Sequence, residues 1–271
     1  MEPKRSLVAW QPFTPQGVAA FAGARLGRLL AVQTVVAISC ALVTIWVIAH
    51  TWFPAIGAAI ENLPQKAEIR NGSLEWTAHS PQRLADNSFL AVVIDLEHTG
   101  QARSPAHLLV EFGAHDVWVF SLLGYVPAAY PQGWRIAFSR NELQPSWGAW
   151  AVPILGLTAG GLIVALIITW AILAAIYAAP VRLIAFFLNR ELDWGGSWRI
   201  AAAGLMPGAV FLSVAIVVYG LGAYDLVRLI AATGLHLVIG WAYCIAGAIS
   251  APRTPQAAAE RANPFATPPA K

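Results

Sequence analysis

His236 lies near the middle of an apolar run, Leu226 to Ser250, and no carboxylate shares its depth. An ionisable group inside hydrocarbon is costly, so such a residue reads either as a relay or ligand group or as a satisfied structural histidine. Neutral imidazole is cheap to bury compared with Asp or Lys, and no acidic partner is in sight, so the structural role is expected. Gln33, Thr44 and Thr169 are candidate hydrogen-bond partners. A second set, His79, His98, His107, His115, Asp95, Glu97, Glu111 and Asp116, falls in the most polar stretch of the chain. Histidines and carboxylates on β elements can hold a metal, and His115-Asp116 is the most suggestive pair. The paired spacing of a zinc motif is missing, so neither metal nor cofactor is expected. Asp225 and Arg228, at i and i+3, suit the start of a helix with a snorkelling arginine.

No H-E-x-x-H, G-x-S-x-G, P-loop or G-x-G-x-x-G occurs. An ATP-driven pump or a standard intramembrane hydrolase is therefore not expected, no catalytic residue can be assigned, and the ligand-binding residues are unknown. Gly156-x-x-x-Gly160 and Gly204-x-x-x-Gly208 let helix backbones approach closely, either within the chain or between copies in a homo-oligomer. Pro207, inside the second motif, is expected to bend its helix.

These residues need elements to hold them. The chain of 271 residues is 58% hydrophobic and only 11% charged, with a mean hydropathy of +0.60. A water-soluble domain carries about a quarter charged residues, so the deficit points to lipid contact. Trp46, Trp52, Trp147, Trp150, Trp170, Trp198 and Trp241 lie in or beside apolar runs, as interfacial belts require. The fold class expected is membrane α-helical, with about four transmembrane helices and a small β-rich extracytoplasmic domain inserted between helices one and two.

The segments follow in order. Residues 1–28 form a cytoplasmic lead-in, with Thr14-Pro15 as a helix start and an apolar stripe suited to an interfacial helix. Residues 29–53 form the first span, too long an apolar core for a cleaved signal. Residues 54–148 form the β-rich domain. There Asn71-Gly72 between alternating residues is a strong hairpin signal, and Phe89–Leu96, Leu108–Phe112, Val117–Phe120 and Trp134–Phe138 read as strands. Residues 149–179 form the second span, 180–199 a cytoplasmic amphipathic connector, 200–221 the third span and 225–250 the fourth. The Ala- and Pro-rich stretch 251–271 reads as a disordered cytoplasmic tail. Cys40 and Cys244 sit in apolar runs and are expected to pack rather than pair.

Lys and Arg near the span ends set the orientation. Lys4, Arg5, Arg25, Arg28, Arg182, Arg190, Arg199, Arg253, Arg261 and Lys271 fall on one side, while the short loop between spans three and four has Arg228 at its edge. The positive-inside rule thus puts both termini in the cytoplasm of a multi-pass cell-membrane protein. The net charge of +3 comes from basic residues that form no patch, so nucleic acid is not an expected partner. The lipid bilayer is.

The run Leu63-Pro64, Ala67-Glu68-Ile69-Arg70-Asn71-Gly72-Ser73-Leu74 and Ala91-Val92-Val93-Ile94-Asp95-Leu96 after a single span resembles an uncharacterised family of bacterial multi-span membrane proteins. Some of its members are labelled maltodextrin-utilisation membrane proteins because of neighbouring genes. The similarity covers about residues 25–250. It implies a span-domain-spans layout in a bacterial inner membrane and carries over no catalytic residue. This chain has Leu96 where the family has a small Thr-like residue after the Asp. The function expected is non-enzymatic: an extracytoplasmic domain that senses or binds a membrane or envelope protein partner. The alternative is a permease-like transport component for a small solute.

Overall fold

In the computed structural model, residues 10–255 are described; the far N-terminus and most of the expected tail, 256–271, lie outside them. Among the described residues, four helices are long and apolar enough to cross a membrane: Leu26–Glu61, Arg140–Phe187, Trp194–Gly220 and Leu226–Ser250. Eight strands lie between the first and second of these. The chain divides into two compact units, one of residues 1–42, 160–215 and 230–271, the other of 43–159 and 216–229.

The first unit is helical. Helix α1 (Pro15–Ala20) starts as its sequence dictates, with Pro15 in the first turn and the Thr14 hydroxyl accepting the Gly17 N–H at 3.0 Å. The core combines α2 (Leu26–Val47) with the later parts of α4 (Arg140–Phe187), α5 (Trp194–Gly220) and α6 (Leu226–Ser250). α5 is its centre: 61% of its most apolar window is buried, against 17–28% for the other three long helices. From Ile200 to Ala209 every residue of α5 is buried, all round the helix. That is feasible because the run is rich in Ala and Gly, which bring neighbouring backbones close.

The helix order is richer than four plain spans. The first helix does not stop near residue 53. A π-helical turn, Ile48–Trp52, follows α2, and α3 (Phe53–Glu61) follows that. Pro54 removes the N–H that would bond the His50 carbonyl, and the wider turn just before it takes up the mismatch. The turn is held from outside, because Asn87 Nδ2 donates to the Thr51 carbonyl at 2.7 Å. The expected connector at 180–199 is also different. α4 runs on to Phe187 because Val181 and Ala185 are buried in the helical core, a turn with Asn189 at φ 52° follows, and α5 already begins at Trp194.

The second unit carries the strands. β1 (Glu68–Arg70) and β2 (Ser73–Glu75) form the Asn71-Gly72 hairpin, both turn residues at positive φ (48° and 77°), and β8 (Arg135–Ala137) pairs with β1. A five-stranded sheet has the order β3 (Gln82–Asp86), β4 (Leu90–Ile94), β5 (Leu108–Phe112), β6 (Asp116–Ser121), β7 (Gly124–Ala129). Only β4 and β5 are parallel, so residues 95–107 must cross over one face of the sheet. The other face, with Leu90, Ile94 and the side chains in register with them on β5, packs towards Ala55 and Ala59 of α3 and Leu63 just beyond it.

Candidate functional site

The crossover places His98 against the sheet. Asp95, at the end of β4, anchors it: Oδ2 accepts Thr99 Oγ1 at 2.9 Å and the Gly100 N–H at 2.8 Å. This tight turn holds His98 at φ 53°, in the left-handed region. Register then decides what the imidazole meets. Glu111 on β5 pairs with Trp118 on β6, and Phe120 on β6 pairs with Tyr125 on β7, so these side chains share one face.

Both nitrogens of the His98 ring are engaged. Nδ1 lies 2.6 Å from Glu111 Oε1, and Nε2 lies 2.8 Å from Asp116 Oδ1. Glu111 is fully buried, and its Oε2 has no hydrogen bond, only the Arg103 guanidinium at 3.6 Å. Asp116 receives a second bond from Trp118 Nε1 at 2.8 Å. The His98 ring stacks on Trp118 with centroids 4.2 Å apart. Gly113 makes room, since a Cβ there would collide with His98 Nε2. Its carbonyl is fixed by the Tyr130 hydroxyl, at 3.0 Å.

The electrostatics follow. Burial works against a charged His98 ring, but the hydrogen bonds to Glu111 and Asp116 outweigh it and hold the pKa above the ordinary histidine range. Burial likewise opposes ionisation of Asp116, and the bonds from Trp118 and His98 overcome it and hold the carboxyl below its usual range. Asp95 is lowered against burial by the Thr99 and Gly100 bonds. An imidazolium bridging two carboxylates, with no nitrogen left over, is a poor metal ligand set and a good clamp. Among the described residues no group of three or more His, Cys, Asp and Glu side chains is arranged to hold a metal ion.

Beyond the clamp the face turns aromatic. Trp118 and Tyr125 stack at 5.0 Å and 14°, Phe120 lies 5.6 Å from Tyr125, and the Arg103 guanidinium sits 4.6 Å over the Phe120 ring. Tyr125 is 56% exposed, and every residue of β7 is exposed. No protein family, curated protein or solved structure matches the chain. What the site does is therefore read from its own geometry.

Of the residues singled out in sequence, Asp95, His98, Glu111 and Asp116 come together. His115 does not pair with Asp116: adjacent strand residues point to opposite faces, and His115 Nδ1 turns to the Gly72 carbonyl at 3.2 Å. His107 Nδ1 meets the Tyr219 hydroxyl at 2.8 Å, beside the Phe89 ring. The His79 carbonyl accepts from Trp76 Nε1, and Glu97 is exposed. Half-buried His236 has its Nδ1 against the Thr233 carbonyl, one turn back on its own helix, rather than against Gln33, Thr44 or Thr169. Asp225 caps α6, its Oδ1 accepting the Arg228 N–H at 2.8 Å. Gly204 and Gly208 face α6, whereas a Cβ at Gly156 or Gly160 would meet nothing within 4 Å. The aromatic ladder and Arg103 were missed in sequence. Trp118-x-Phe120 alternation with Tyr125 a short turn later is the signal that could have found them.

Proposed function

We propose that the chain is a multi-pass protein of the bacterial inner membrane with both termini cytoplasmic, and that its β domain stands outside and docks an envelope protein. The observation that carries the docking reading is the ladder of half-buried Trp118 and Phe120 with exposed Tyr125, flanked by Arg103. Aromatic residues and arginine are enriched at the centres of protein interfaces, where they supply large rigid contact area. The clamp beneath serves this face by fixing Trp118, which both stacks on His98 and bonds Asp116.

Docking uses the face rather than the strand edge. In the β6–β7 hairpin the Tyr130 N–H points to the His115 carbonyl, so residues 124, 126 and 128 direct their N–H groups inward and 125, 127 and 129 outward. Pro127 therefore removes a donor from the open edge, a usual guard against strand addition. A transport path has less support. In the helical unit, the buried polar side chains among the described residues are Gln33 and Ser197.

Two measurements test the proposal. A benzophenone amino acid at Tyr125, irradiated in intact cells, should give a discrete protein adduct. That adduct should fade at least several-fold when Trp118→Ala is added. An adduct no stronger than that from exposed Lys66 would sink the docking reading. Topology is tested separately in a Cys40→Ser, Cys244→Ser background. With the outer membrane permeabilised, an impermeant maleimide should label Ser88→Cys and spare Glu191→Cys. Labelling of Glu191→Cys alone would invert the orientation.

A further inference from the structure

The sheet face turned towards α3 is not fully packed. Leu108, Val110 and Phe112 of β5 and Val92 of β4 point at α3 yet stay only partly buried. Between them and Trp52, Ile56, Ala59, Ile60 and Leu63 lies a cavity of about 370 Å³ with no polar residue in its wall. Water needs two to four polar partners to be comfortable in such a space, and an engineered cavity of ~150 Å³ with similar walls stays dry and takes up benzene. A groove more than twice that size, apolar throughout and partly open at its mouth, favours an apolar occupant.

Shape and position narrow the choice. Along β5, from Leu108 to Phe112, the wall runs roughly 13 Å at ~3.3 Å per residue. Along the helix, from Trp52 to Ile60, it runs roughly 12 Å at ~1.5 Å per residue. Both walls are long enough to line a linear chain. Trp52 is 37% exposed at one end and belongs to the π-helical turn that directly extends α2. One turn earlier, Trp46 and Val47 pack against Gly220, where α5 ends. If α5 spans the bilayer, Trp52 stands at headgroup depth, where tryptophan is favoured.

We infer that this cavity binds one hydrocarbon chain of a membrane lipid, which enters past Trp52. The inference rests on the four-span reading for the source of the chain but not on the docking face, which lies on the opposite side of the sheet. Each buried methylene adds to affinity, so a long chain is held by the slot without any polar recognition.

The full chain in phosphatidylcholine nanodiscs, given a palmitic acid carrying a diazirine near its methyl end, tests this. Irradiation and peptide mapping should place adducts in 52–63 or 108–112 as well as on the long helices. Val110→Trp, which fills the slot, should lower the β-domain adducts at least about five-fold and leave those on the helices unchanged. Leu63→Trp fills the slot from the other wall and should act alike, so misfolding of one variant does not decide the result. Excess lauric acid should compete in the wild type. Adducts only on the long helices outside 52–63, or undiminished adducts at 52–63 and 108–112 in both filled variants, overturn the inference. Adducts at 52–63 or 108–112 with none elsewhere on any long helix uphold the slot and sink the membrane reading instead.

Discussion

His98→Ala is expected to weaken the sheet at β5 and β6 by about 3–5 kcal/mol, because it strands a fully buried carboxylate. Glu111 would keep only Arg103, at 3.6 Å and without a hydrogen bond, and Arg103 is itself 48% exposed. In the intact chain the effect is read as hydrogen exchange of amides 108–121, which should lose roughly 10²–10⁴-fold of protection near pH 6. The double variant His98→Ala, Glu111→Gln should recover part of the loss, since the stranded group is then neutral. Equal protection in wild type and His98→Ala would show that the clamp contributes nothing.

The pH dependence has a definite sign. His98 is raised in the fold, so its contribution is complete below the ordinary value of about 6.5 and is lost as pH climbs through the raised folded value. Asp116 is lowered, so its contribution is complete above about 3.9 and is lost as pH falls through the depressed folded value. The advantage of wild type over His98→Ala should therefore be flat from about pH 4 to 6.5 and shrink towards pH 9. Both side chains are less than a third exposed, so solvent screening removes only part of it.

How much of this was legible depended on whether a residue's burden is local. The Asn71-Gly72 hairpin was legible because a positive φ at two successive residues is written in the residue types themselves. β4 was legible because Ala91 and Val93 are fully buried on one face and Leu90 and Ile94 on the other, leaving an unbroken apolar run. β3 was not, because only Leu84 and Ala85 of its five residues are buried. β7 was not, because an edge strand exposed at every residue has no burial pattern, and its Pro and Gly read as turn signals. The clamp joins His98 to partners 13 and 18 residues away. Sequence adjacency favoured His115-Asp116 instead, and only the parallel crossover, invisible in composition, brings His98 over the sheet. The continuation of the first long helix through α3, and of α4 to Phe187, was hidden by Pro54 and Pro180, which the fold tolerates where local widening or packing compensates.

The two glycine motifs look alike in sequence and should respond differently. On α5, a Cβ at Gly204 would lie 2.7 Å from Cys244 Sγ and 3.0 Å from the Cys244 nitrogen, and one at Gly208 would collide with the His236 carbonyl oxygen. The obstacles at 208 are backbone, which cannot rotate away, and Gly240 of the same helix is 3.4 Å from that Cβ. Without water between them, helices in a bilayer are held by this close van der Waals approach, so separating α5 from α6 loosens the buried centre of the helical core. Gly208→Leu is therefore expected to cost about 3 kcal/mol or more. For a chain of this size that lowers the apparent melting temperature by roughly 10 °C in detergent. Gly160→Leu adds a side chain where nothing lies within 4 Å and should shift it by no more than about 2 °C. Gly204→Ala should fall between, because part of its clash is with a thiol that can turn. Fluorescence-detected size exclusion after graded heating ranks the three variants. A Gly160→Leu loss as large as that of Gly208→Leu would mean that α4 has a partner on its open face, a second copy of the chain among them. Equal tolerance of both would mean that α5 and α6 do not approach as closely as their glycines allow.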